Sequence, residues 1–305
     1  MERFGSDKPD LRFGLEVKNL TAAFAGTSFK VFAGVLGRGE TIYGFALPGD
    51  YQLSRRELDE MAEAIRTRQG LGLAWARIAD GNWQGPIAKF IGDGERARAT
   101  AAAGLKSGDT VLLIAGSRDK VRPLVGETRL QLGAKFKLAT AGELKFLWVT
   151  EFPLFQYSEE ERRLVSVNHP FTAPHPDDLH LLDSEPLKAR ALAYDMVLNG
   201  QELGGGSIRI HRPELQTRIL GLLGIPREDA MNKFGFLIDA LNYGAPPHGG
   251  IAFGVDRISM MLCGTDSLRD VIAFPKTQKA VDLMSGAPSE VDARQLKELS
   301  IKVAP

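Results

Sequence analysis

The order of apolar and polar positions divides the chain into two textures that meet near residue 139. Over residues 17–136, short apolar runs at 30–36, 42–46, 73–78 and 111–115 predict strands. Helices fall between them. Ser54-Arg55-Arg56-Glu57 is a capping box, and Leu58, Met61, Ala62 and Ile65 follow it at helical spacing. A second helix is predicted through the alanines at 99 and 101–103. A third starts near Ser117 and carries Val121, Leu124 and Val125, against the helix-weakening Pro123 and Gly126. This mixture implies an α+β unit, and nothing in it gathers titratable groups into a recognisable site.

Beyond residue 139, residues 144–150 predict a strand, a charged turn follows at 158–163, and a short apolar run occupies 164–167. His169 stands between Asn168 and Pro170, where the following proline holds it extended. It can point into a cleft or cap a turn. A loop rich in Pro, His and Asp runs to Asp183. Ser184 and Pro186, in N-cap and first-turn positions, predict a helix to Asn199 with Gly200 as its stop. Pro213 and Pro226 each start another helix, ending near Gly224 and Gly244. Residues 251–255 predict a buried strand, with Asp256 capping a helix over 257–262. At the other end, residues 1–16 are too polar and Pro-broken for a buried element. They are expected to pack on something else, and the natural unit to continue upstream.

Composition narrows the classes. The 305 residues, 44% hydrophobic and 25% charged, suit a soluble globular protein of two domains. Basic and acidic residues balance at 38 each, so net charge points to neither nucleic acid nor membrane, although a local basic surface is compatible. The single Cys263 cannot form an internal disulfide and fits a reducing compartment. No secretory leader and no apolar run of about 18 residues is seen, so a cytoplasmic location is expected. Metal-ligand spacings and a Walker-type phosphate loop are missing from the sequence.

The candidate chemistry lies between Tyr194 and His211. Its first residues read as the end of the apolar helix, and 201–203 and 207–210 as short strands around Gly204, Gly205 and Gly206. Three successive glycines let a ligand or another backbone come close. Strand alternation sets Ser207 and Arg209 on one face and Ile208 and Ile210 on the other. Glu202 precedes the glycines, so a carboxylate and a guanidinium flank a strip almost without side chains. That strip suits a ligand bearing a carboxylate and a metal-bound phosphate; equally, it suits a Gly-rich turn with a solvated arginine. Arg257 falls at a strand-to-helix junction three residues after Gly254. It can stack on a base and contact phosphate, or pair with Asp256 or Asp270 to hold the junction.

With Gly-Gly-Gly-Ser-Ile-Arg at 204–209 and Gly-Ile-Ala-Phe-Gly-Val-Asp-Arg at 250–257, the chain resembles bacterial-type aspartyl-tRNA synthetases, a class II family. The likeness runs from Gly-Ser-Asp-Lys-Pro-Asp-Leu-Arg at 5–12 to Asp-Val-Ile-Ala-Phe-Pro-Lys at 270–276, and 249–257 is similar to the third class II signature motif. The resemblance implies an α+β fold: a class II antiparallel sheet with flanking helices, and an inserted α+β GAD-type domain. It divides the chain into a catalytic-domain remnant at 1–16, the insert at 17–136 and the C-terminal part of the catalytic domain at 137–305. It implies aspartate–tRNA ligase activity using L-aspartate, ATP and tRNA(Asp), in a family whose full-length members are homodimers. Glu202, Arg209 and Arg257 become the catalytic residues. Glu202, Gly254, Val255, Asp256 and Arg257 contact ATP, with Mg²⁺ on Glu202, and Arg209, Asn168, His169 and Ser207 hold L-aspartate. Asn168 stands where relatives often have the first of two histidines, so only His169 of that pair remains. The implied geometry is convergence of Arg209 and Arg257 on one cavity with Glu202 between them.

The family's anticodon-binding barrel, its first motif and its second motif are not found before Met1, so the chain is expected to be a C-terminal part. The second motif supplies the arginine that grips the α-phosphate, and losing one such donor costs ~10²–10³ in rate. No aspartate-dependent pyrophosphate exchange is therefore expected from this chain alone. The alternative is a catalytically silent fragment that binds or assembles through the insert. An ammonia-dependent asparagine synthetase, a relative without a GAD-like insert, fits less well.

Overall fold

A computed structural model describes residues 1–303. Two compact units are present, residues 1–251 and the residues from 252 onward. The first unit holds two larger antiparallel sheets and a two-stranded hairpin, with helices against them, an α+β arrangement.

The first sheet is built from β1 (Lys18–Asn19), β2 (Thr41–Leu47), β3 (Leu73–Ala79), β4 (Asn82–Gln84) and β5 (Thr110–Gly116). Their order is β1-β2-β5-β3-β4. The helices of this region are α1 (Lys30–Gly37), α2 (Arg55–Gln69), α3 (Asp93–Ala103) and α4 (Arg118–Lys135). All of β5 is buried, because alternate residues feed two cores. Val111, Leu113 and Ala115 join Phe24, Phe32 and Ile78 on one face; Leu112 and Ile114 join Phe45, Leu58 and Val121 on the other. The capping box at Ser54 and Glu57 starts α2 as expected. Pro123 sits inside α4 without ending it. Residues 30–36, expected as a strand, form α1 instead. Phe32, Val35 and Leu36 pack at helical spacing while Val31 is 58% exposed, a period that a seven-residue apolar run does not reveal.

The second sheet takes β6 (Phe146–Thr150), β9 (Ala193–Leu198) and β10 (Gln201–Ile208), with residues 249–251 of β11 (Gly249–Phe253) beside β10. The small hairpin of β7 (Phe155–Ser158) and β8 (Arg163–Ser166) precedes β9. Helices α5 (Pro213–Leu222) and α6 (Arg227–Asn242) follow β10; Pro213 is the first residue of α5 and Pro226 the N-cap of α6, the two prolines that were expected to open them. Their core gathers Val149, Phe155, Ala193, Val197, Ile210 and Ile219.

The predicted helix over 184–199 does not form. Short 3₁₀ turns occupy Pro176–Leu182 and Pro186–Lys188, and β9 follows. Two features decide this. Ala189, Ala191 and Ala193 are buried while Arg190 and Leu192 are half-buried, a period of two. Asn199 and Gly200, with φ of 52° and 86°, make the two-residue turn that pairs Leu198 with Gln201. Gly200 is a hairpin turn, not a helix stop.

Among the described residues of the second unit, α7 (Val255–Leu262) and α8 (Ala293–Glu298) are the α-helices. The predicted burial of 251–255 is not met. Ile251, Phe253 and Val255 are 42%, 44% and 72% exposed, and Val255 already begins α7. Gly254, not Asp256, occupies the N-cap of α7, and Asp256 falls in its first turn. An apolar run states what could be buried, not that a second layer lies over it. Cys263 is exposed. Among the described residues, no helix is long and apolar enough to cross a membrane.

Candidate active site

Glycines 204–206 do not interrupt two strands; they lie inside the single strand β10, opposite Met196, Asp195 and Tyr194. Two strands were expected because three successive glycines read as a break; the irregularity that does exist lies just before them. The register shifts between Glu202 and Gly204, leaving Leu203 as the extra residue of a bulge. This shift has a chemical result. Glu202 pairs with Val197 and Ser207 with Ala193, so an even and an odd position of β10 face the same side. Without the bulge, alternation would send the Glu202 carboxylate to the opposite face.

The glycines are needed for close approach. A Cβ on Gly205 would stand 2.3 Å from Asp195 Oδ1 and 3.5 Å from Glu202 Oε1. One on Gly206 would stand 1.9 Å from the Gly250 carbonyl oxygen and 2.8 Å from the Tyr194 ring. Tyr194 lies across that bare strip, its hydroxyl donating to Gly250 O at 3.1 Å.

Two carboxylates therefore share the floor. Burial first, then the neighbouring charges of Glu202 and Asp7, raise the Asp195 carboxyl above its ordinary value. Lys8 opposes this, with its Nζ 3.3 Å from Glu202 Oε2. Sequence reasoning missed both Asp195 and Lys8. The Asn-Gly turn could have found Asp195, since it sets residue 195 against the glycines; no sequence signal brings Lys8 there.

At the other end of the floor, Arg209 bridges Thr172 in the backbone and donates its own N–H to His248 O at 2.9 Å. Its Nη1 donates to Ser207 Oγ at 2.7 Å and to His169 Nδ1 at 3.3 Å. Among the described residues, hydrogen bonds reach this guanidinium only at Nη1. Ser207 is 2% exposed, and the Thr172 hydroxyl also reaches its Oγ at 3.4 Å. His169 Nδ1 accepts from the Phe171 backbone N–H at 3.2 Å as well. Two obligate donors on Nδ1 leave the proton on Nε2. Burial, and then the Arg209 charge, push the imidazole below its ordinary value, so it is neutral at pH 7.

The structure thus sets Glu202 and Ser207 on β10 and Arg209 just past its end, with His169 reaching Arg209 from the loop before Thr172. Asn168 is exposed, and the contact with Arg209 comes from its neighbour His169. Gly254, Val255, Asp256 and Arg257 belong to the second unit, where Arg257 is half-buried in the first turn of α7. Among the described residues, no group of three or more His, Cys, Asp or Glu is set to hold a metal ion.

A buried hydroxyl and a neutral imidazole fixing one edge of an arginine, opposite a carboxylate pair, suit a ligand with an anionic end and a cationic or metal-bound end. The model of tRNA synthetases class II (D, K and N) matches residues 1–278. The chain belongs to that family. A protein of Nitratidesulfovibrio vulgaris named Aspartate--tRNA(Asp/Asn) ligase is 50% identical over 303 residues, which are 99% of this chain and 49% of that protein. Its namesake from Caldanaerobacter subterraneus subsp. tengcongensis is 48% identical, over 99% of this chain and 51% of its own length. The aspartyl tRNA synthetase of Entamoeba histolytica is 24% identical with a TM-score of 0.36, over 51% of this chain and 27% of that one. The chain spans about half the length of the curated relatives it matches. The similarities give no support to a catalytically silent binding module.

Proposed function

We propose that this chain forms part of an aspartate–tRNA ligase, the part that grips the side chain of L-aspartate and a portion of ATP. The observation that carries the reading is the shared Nη1 of Arg209. With that nitrogen held by Ser207 and His169, the rest of the planar fork meets a carboxylate with little further ordering. An amide offers one acceptor and no charge, so asparagine is the poorer ligand. His169, with its proton on Nε2, is a donor to the same ligand, and Asn168 lines the exposed rim.

Glu202 faces the phosphates of ATP, and Gly254, Val255, Asp256 and Arg257 are the further ATP contacts, Arg257 against adenine and phosphate. Mg²⁺ fits Glu202 with Asp195 beside it. That ion takes one or two carboxylates and completes its shell with water and phosphate oxygens, so a larger protein cage is unnecessary. When bound it neutralises phosphate charge. In the whole enzyme the α-carboxylate of aspartate attacks the α-phosphate, pyrophosphate leaves, and the aspartyl group passes to the acceptor end of tRNA(Asp). The relatives' names carry tRNA(Asn) too, so both tRNAs belong in any charging assay of the full-length protein. The 17–136 region is the GAD-like insert of this reading, between the 1–16 and 137–305 parts of the catalytic domain.

Calorimetry of the chain tests the site directly. L-aspartate is expected to bind more tightly than L-asparagine, and Arg209→Leu to remove aspartate binding while ATP·Mg²⁺ still binds. Equal affinity for the two amino acids, or aspartate binding that survives Arg209→Leu, overturns the assignment.

A further inference from the structure

Residues 1–16 form no helix or strand, yet they are fixed along α4 at three places. Glu2 accepts from Arg118, Arg122 and the Tyr43 hydroxyl, the last at 2.9 Å. Gly5, at φ 67°, meets Gly126 backbone to backbone; a Cβ on Gly126 would stand 2.6 Å from Gly5 O. Deepest is Arg129, 1% exposed. Its Nη2 donates to the carbonyls of Asp10, Phe13 and Gly14 at 2.7, 2.9 and 2.9 Å. Its Nε donates to those of Gly14 and Leu15 at 3.1 and 3.2 Å. The rings of Phe4 and Phe13 lie 4.8 and 4.1 Å from the guanidinium carbon. Burial draws this side chain down to about 10, which leaves it charged at neutral pH. One planar group thus fixes residues 10–15.

Between the glycine contact and the arginine lies Lys8, whose Nζ is 3.3 Å from Glu202 Oε2. A Cβ on Gly200 would lie 3.8 Å from Lys8 O and 3.6 Å from the Asp10 Cβ, so residues 8–10 ride over the β9–β10 turn. The two charged side chains are 43% and 28% exposed, and an ion pair that open to water holds little by itself. It persists where the backbones carrying it are held.

We infer that Arg129 is a positioning residue: with the Gly5–Gly126 contact, it locks the loop that sets Lys8 against Glu202, so α4 determines the charge that Glu202 faces. What this serves rests on the ATP-facing role proposed for Glu202; the contact itself does not. The five-stranded region then has a task in the site, carried by a helix that supplies none of the site's own side chains.

A zero-length cross-link reads the contact without any activity assay. A water-soluble carbodiimide activates the Glu202 carboxylate, the Lys8 amine displaces it to form an amide, and the carbodiimide leaves as its urea. Mass spectrometry of digests of the full chain detects the link. Lys135 Nζ and Glu57 Oε1, 2.6 Å apart, provide a reference link elsewhere in the same unit. Arg129→Lys and, independently, Gly126→Ala are expected to lower the Lys8–Glu202 link by roughly tenfold, since amide formation depends on held proximity. The reference link stays, because alanine favours the helix that Gly126 occupies. Lys8→Arg abolishes the first link only. The inference fails if wild type forms the reference link but not the Lys8–Glu202 link, or if both variants keep the latter at wild-type yield. Loss of both links in Gly126→Ala also overturns it, for α4 would then be needed for folding rather than for position. Absent aspartate binding would sink the ligase reading and leave these yields untouched.

Discussion

The two sheets of the first unit use their side chains in opposite ways. In the five-stranded sheet, β5 is buried throughout and alternates between two apolar cores, so every position is filled by packing. In the four-stranded sheet, the strand at the corresponding centre of interest gives up side chains at 204–206 and keeps a carboxylate, a hydroxyl and a guanidinium on one side. Packing leaves no room for a ligand; a strip of glycines leaves room and also leaves charges to be satisfied. Both sheets rest on apolar cores, but the second also carries hydrogen-bonded charges along its glycine strip and margins.

Truncating a core leucine draws this contrast most sharply. Leu113 is fully buried on β5. Leu113→Ala is expected to lower the unfolding free energy by about 2–5 kcal/mol, because both transfer energy and a cavity are involved. Aspartate affinity of the remaining folded protein stays unchanged. Urea titration followed by calorimetry checks both parts; a large loss of affinity at unchanged fold would erase the division between the sheets.

The converse test concerns the ions that pin the chain before β9. Asp178 accepts from the Arg190 backbone N–H at 2.9 Å and from its Nε and Nη2 at 2.8 and 3.0 Å. These bonds to Arg190 hold the carboxyl down at about 2. A depressed carboxyl stabilises the fold above its unfolded value near ~4, and that contribution is lost as pH falls toward the folded value. Asp178→Asn is expected to cost ~2 kcal/mol at pH 7, the scale for hydrogen bonds to a charged group, and to flatten the acid limb between those limits. Trp148 on β6 reports the second sheet, and Trp75 and Trp83 the first. Glu57 in the first region is also held down at about 2, by Lys135 first. The discriminating measurement is therefore the variant: in fluorine-labelled tryptophan spectra on acidification, Asp178→Asn should alter the acid response at Trp148 and leave Trp75 and Trp83 as in wild type. The same alteration at all three would show that this pair does not act on the second sheet alone.

How much of this could be read in the chain follows the same division. The strands β2, β3 and β5 announce themselves as apolar runs, and the Ser54–Glu57 box announces α2, because their determinants are local. In the second sheet the determinants are small or distant. Ala189, Ala191 and Ala193 are as apt for a helix as for a strand, and only the Asn199-Gly200 turn argues otherwise. The bulge at Leu203, which decides the face that Glu202 occupies, leaves no mark in composition. Glu202, Ser207 and Arg209 were legible as chemistry, whereas Lys8 reaches Glu202 through the loop clamped by Arg129, a long-range contact that no local pattern encodes.

The smallest effect lies at His169, where the second sheet's reliance on charge can be measured one proton at a time. The imidazole is held below the ordinary value of about 6.5 by burial first and by Arg209 second. Its neutral form stabilises the fold above that ordinary value, and the contribution is lost as pH falls through the lowered one. Nitrogen-15 spectra should show the proton on Nε2 at pH 7 and a midpoint below the ordinary value. Arg209→Leu removes only the second cause, so the midpoint should rise part of the way and stop short. A full return to the ordinary value would mean that charge alone governs the site, and no movement would mean that burial does. A proton on Nδ1 would break the hydrogen-bond pair that holds Arg209 for a carboxylate, and with it the contrast between a sheet that packs and a sheet that presents.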